Sequence, residues 1–167
     1  MKKSPAEITK ELKNLDSQIR MLQETEKNMS VFTATIADAE VVRPSYSYED
    51  TAKQIQLLQD KVRQLKHVLN CFNVSKEVPG FDCTVDQLLV LIPQLSERKR
   101  VLREMSMRKV YDRAGGRYMS GSSEDYEIAN YDIELAKKDY EVVSDLLSRA
   151  QMALDTINTE SVIEFKE

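Results

Sequence analysis

Tryptophan is absent from this chain, and aromatic residues make up only 7% of it. Glycine and proline number four each. A sandwich, a barrel or a low-complexity tail would use more turn residues and more aromatics. No apolar run approaches the roughly 18–20 residues that a membrane-spanning helix needs. There is one histidine, His67, so a di-iron bundle with paired Glu-x-x-His motifs is ruled out. A Ser-His-Asp or Cys-His centre would have to be built around that single residue, which has Gln64, Lys66 and Asn70 beside it and no carboxylate three or four positions away. It reads as an exposed helical histidine. No H-E-x-x-H, EF-hand loop, P-loop or G-x-G-x-x-G occurs. No catalytic residue, metal ligand or cofactor contact is expected, and an enzyme is the least favoured class.

Two cysteines, Cys71 and Cys83, bracket one loop. Met1-Lys2-Lys3 is followed by Ser4-Pro5-Ala6-Glu7 where a signal peptide would have its apolar stretch, so the expectation is a cytoplasmic protein with reduced thiols. A disulfide between the two is geometrically conceivable. As isolated cysteines without a nearby histidine they read as a poor metal site.

What the chain has in quantity is charge, at 31% of residues, arranged around helical apolar stripes. Tyr126, Ala129, Ile133, Ala136, Tyr140, Val143, Leu147, Ala150, Leu154 and Ile157 step alternately by three and four. That is the heptad seam of a helix lying along another helix. Alanine at 129, 136 and 150 lets the partner backbone approach toward the short end of the roughly 8–10 Å interaxial range. The seam predicts a helix over about 123–158, capped by Ser122 or Ser123 with Glu124 and Asp125 in its first turn.

Three more helices are predicted, over about 5–28, 47–73 and 84–111. Ser4 and Glu7 have capping-box spacing with Pro5 at the first helical position. Ile55, Leu58, Val62, Leu65, Leu69 and Phe72 form a second seam, and Leu57, Val68 and Cys71 widen its apolar face beyond a two-helix stripe. Thr84 and Gln87 cap the third helix, with Pro93 inside it. Two stretches change to a two-residue period: 31–43, read as a β-hairpin ended by Pro44, and 161–166, read as a strand pairing with residues 31–37. The expected fold is a mostly α, antiparallel long-helix bundle or coiled coil with a small β element, in a single domain spanning 1–167.

The net charge of −4 does not favour a dedicated nucleic-acid binder, yet one stretch departs from it. Arg98, Lys99, Arg100, Arg103, Arg108, Lys109, Arg113 and Arg117 stand against only Glu104 and Asp112, about +6 within twenty residues. Tyr111 and Tyr118 are interleaved, and a Gly/Ser-rich segment over 114–123 follows. Arg98, Arg100, Arg103, Arg108, Lys109, Arg113 and Arg117 could bind phosphate, a nucleotide or RNA through Arg forks. The favoured alternative is internal pairing with the acidic stretch from Glu124 onward.

Leu65-Lys66-His67, Asn70-Cys71-Phe72-Asn73, Pro79-Gly80-Phe81-Asp82, Asp86-Gln87-Leu88-Leu89 and Ala129-Asn130-Tyr131-Asp132 carry a resemblance. From the second helix onward the chain resembles a loosely defined group of small uncharacterised bacterial coiled-coil proteins, some labelled septicolysin-like. The resemblance implies a helical fold. The cytolytic activity in that label is not carried over, since no membrane-inserting segment accompanies it.

The functional expectation is a non-enzymatic, homo-oligomeric interaction or scaffold protein, with the 129–157 seam as its contact surface. The alternatives are an anion- or nucleic-acid-binding module built on 98–117, and an adaptor or inhibitor of a larger bacterial complex. Partners are expected to be itself and another protein, with no membrane and with nucleic acid disfavoured.

Overall fold

The computed structural model describes residues 1–33, 43–113 and 126–165. Four helices are present among them: α1 (Pro5–Met29), α2 (Tyr48–Ser75), α3 (Val85–Ser106) and α4 (Ile133–Glu160). Four short strands accompany them: β1 (Lys2–Lys3), β2 (Tyr111–Arg113), β3 (Tyr126–Ile128) and β4 (Ile163–Glu164). The mostly helical class with a small β element is therefore as the sequence predicts. The chain forms two compact units, one from Met1–Lys76 with Thr156–Glu167, the other from Glu77–Asp155.

In the first unit α1 starts where its capping box puts it. The Glu7 amide donates to Ser4 Oγ at 3.2 Å, and Glu7 Oε2 accepts from the Ser4 amide at 2.8 Å. Both satisfy groups that a helix start leaves without an intrahelical partner. Ile8, Leu12, Leu15 and Ile19 then face inward. The first three pack with Leu65 of α2 and with Ile163 of β4, flanked by Leu58, Val62, Val68, Leu69 and Phe72. Early α1 meets late α2, so the two helices run antiparallel. Each fully buried Leu or Ile of this size contributes about 1.5–3 kcal/mol of hydrophobic stabilisation.

The terminal strand exists but pairs elsewhere than expected. β4 is antiparallel to β1, with Lys2 opposite Glu164 and Lys3 opposite Ile163. The Phe165 amide donates to the Met1 carbonyl at 3.1 Å. Lys2 Nζ lies 2.5 Å from Glu164, and Lys3 Nζ reaches Glu11 on α1 at the same distance. A two-residue strand with Lys on both positions was too short and too polar to stand out by hydrophobic period. The expected hairpin over 31–43 lies, at 34–42, outside the described residues, and Val31–Thr33 are in no regular element.

In the second unit a turn at Pro79-Gly80 leads into α3. Gly80 has φ +80°, a conformation that glycine adopts without steric cost. The Val78 amide donates to the Cys83 carbonyl at 3.0 Å, and Val78 and Val85 are buried on either side. Gln87 Oε1 accepts from the Thr84 amide at 2.9 Å, as its spacing predicts. Pro93 is accommodated within the helix. Lys99 Nζ stands over the Tyr140 ring at 6.0 Å, and the Tyr131 hydroxyl donates to the Met105 carbonyl at 2.8 Å. These contacts make α3 and α4 antiparallel neighbours.

Two helix boundaries require correction. The helix expected to reach 111 stops at Ser106, and the helix expected from 123 begins at Ile133. Between them β2 and β3 form an antiparallel ribbon, pairing Tyr111 with Ile128, Asp112 with Glu127 and Arg113 with Tyr126. The aromatic and β-branched residues here favour extended backbone over helix. The Ala129 amide continues the ladder, donating to the Val110 carbonyl at 3.1 Å. Tyr126 and Ala129 thus leave the helical seam. The N-cap is Asp132, whose Oδ1 accepts from the amides of Glu134 and Leu135 at 2.9 and 3.1 Å. The expected caps Ser122 and Ser123 lie outside the described residues.

Candidate functional site

The seam begins at Ile133, and every member from there to Ile157 faces inward. Ala136, Leu147, Ala150 and Ile157 are buried, Ala150 completely, while Ile133, Tyr140, Val143 and Leu154 are half-buried. Of the expected oligomer seam over residues 129–157, the members from Ile133 onward are thus buried or half-buried within one copy, and Ala129 lies outside the helix. The outward positions of α4, such as Leu135, Val142 and Met152, are exposed.

The open apolar surface of the first unit lies between α1 and α2. A groove of about 560 Å³ is lined by Met21, Leu22, Leu57 and Leu58, with Gln18, Gln54 and Lys61 at its rim. Met21 is 65% and Leu57 63% exposed. Burial along α1 falls from Ile8, fully enclosed, to Leu22, half-buried, and Met29, exposed. The sequence signalled this surface through Leu57, which widens the α2 stripe. Met21 escaped notice because it lies off the α1 seam.

The ribbon presents a second apolar face. Directly opposed residues share a side of a sheet, and so do residues two apart. Tyr111, Ile128 and Tyr126 fall on one side of the β2–β3 pair, all at least half exposed. Asp112 and Glu127 fall on the other.

The basic stretch is dispersed over several elements. Arg98 and Arg103 are exposed on α3 and have no ion-pair partner among the described residues. Arg100 is clamped within its own helix, 2.7 Å from Glu97 and 2.7 Å from Glu104. Hydrogen bonding and attraction from Arg100 hold the Glu97 carboxyl below the usual carboxylate range, and Arg100 is held more firmly charged in return. Arg108 lies 3.7 Å from Glu127 of β3. Arg108 and Lys109 share a cleft of about 160 Å³ with the carboxylates Asp112 and Glu127. Arg113 belongs to β2, and Arg117 lies outside the described residues. A cleft lined by two cations and two carboxylates is close to neutral, so it has little pull on a phosphate. Of the expected internal pairing with the following acidic stretch, the described residues show the Arg108–Glu127 pair.

One juxtaposition departs from the sequence reading, which took both cysteines to lack a nearby histidine. His67 lies one helical turn before Cys71, and Nε2 comes within 3.7 Å of Sγ. Both residues are exposed on α2. The signal was the His-x-x-x-Cys spacing, which places two side chains on one helix face. Cys71 and Cys83 are free thiols. Among the described residues no group of three or more His, Cys, Asp or Glu side chains is arranged to hold a metal, and no helix is long and apolar enough to cross a membrane.

No family model matches the chain, and no curated protein matches it either. Among solved structures it is similar to the crystal structure of a functionally unknown conserved protein from Corynebacterium diphtheriae, with a TM-score of 0.68 at 12% identity. The match covers 98% of this chain and 100% of that one. At that identity the likeness shows a shared fold alone.

Proposed function

We propose that this chain is a non-enzymatic interaction scaffold that assembles with a second copy of itself through the α1–α2 groove. The observation that carries this reading is the groove itself: Met21 and Leu57 stand open on a helix pair whose opposite end is closed by Leu65 and Ile163. Two antiparallel helices expose apolar flanks that a further helix pair can cover, as in a four-helix bundle. A two-fold contact lets the same groove serve both copies. The rim of Gln18, Gln54 and Lys61 fits the polar border of such a surface. The resemblance to small helical coiled-coil proteins accords with this reading, in the cytoplasm and without a membrane. Light scattering at micromolar concentration should give at least twice the monomer mass, and Leu57→Asp should return the monomer with its helicity intact. A wild-type monomer across that range would overturn the proposal.

Arg98 and Arg103, exposed and without an ion-pair partner among the described residues, favour one rival, an anion-binding module. Its test is titration of the wild type with single-stranded RNA and common nucleotides at about 50 mM salt, where the electrostatic contribution is strongest. No binding is expected, because the acidic remainder of the chain opposes the approach of polyanions. Binding that weakens steeply with added salt would establish the rival.

A further inference from the structure

We draw no further inference here: the strongest candidate, the exposed apolar face of the β2–β3 ribbon formed by Tyr111, Tyr126 and Ile128, carries nothing because nothing in the structure shows what covers it.

Discussion

Ser144 on α4 has its Oγ enclosed and makes no hydrogen bond. A hydroxyl so placed has lost water without gaining a partner, and serine is a poorer helix former than alanine. Ser144→Ala is therefore expected to stabilise the protein by about 0.5–1 kcal/mol, measured as a shift of the urea midpoint at constant slope. A loss of stability would mean that the hydroxyl has a polar partner after all. The Glu97–Arg100–Glu104 clamp makes a second prediction at this scale. Because the Glu97 carboxyl is held below its ordinary range, its contribution is present above that range and disappears as pH falls through the lowered value. In Arg100→Gln the Glu97 titration, followed by carboxyl NMR, should move back up. The pair is fully exposed, so the effect on melting should be negligible.

α4 shows how far hydrophobic period carries. From Ile133 to Ile157 the predicted inward positions are the observed ones, because a 3.5-residue repeat has only one way to face a neighbouring helix. Upstream the same arithmetic misleads. Tyr126 and Ala129 have the right spacing, but Tyr126 belongs to a strand and Asp132 supplies the cap. A seam read without its start signal runs on past the helix end. The capping boxes at Ser4 and Thr84 are legible because they need only the right residue types three positions apart, the Glu7 and Gln87 side chains accepting from the Ser4 and Thr84 amides. The β1–β4 pair was not, since its register depends on residues far apart in the chain. Of the candidate surfaces, the groove shows in the sequence only through Leu57, because Met21 lies off the α1 seam. The close packing of the seam is open to test. Ala150, with no exposed surface, should not admit a larger side chain. Ala150→Leu should destabilise by about 1–3 kcal/mol, read by denaturant unfolding. Leu135→Ala, on the exposed side of the same helix, should stay within about 0.5 kcal/mol of wild type.

At the scale of the molecule, the first unit is assembled from two separated stretches of chain, Met1–Lys76 and Thr156–Glu167. The β1–β4 pair joins them, with the Met1 backbone nitrogen donating to the Phe165 carbonyl at 2.6 Å across 164 positions of sequence. Bringing two such distant points together in an unfolded chain costs about 4–5 kcal/mol of entropy, from (3/2)RT ln n before any constant is added. Two residues of ladder cannot offset that. Order of events follows from the imbalance: helix pairing within each unit, which is local, must shorten the effective loop before the pair can close. Contacts made after the rate-limiting barrier affect how fast the protein unfolds and leave the folding rate alone. Ile163, packed on Ile8, Leu12 and Leu15, is where this can be measured. Ile163→Ala should cost about 2–4 kcal/mol. Stopped-flow kinetics should place nearly all of that loss in faster unfolding, with refolding unchanged. The short ribbon between residues 1–3 and 163–165 would then act as the latch that governs how long the folded protein lasts.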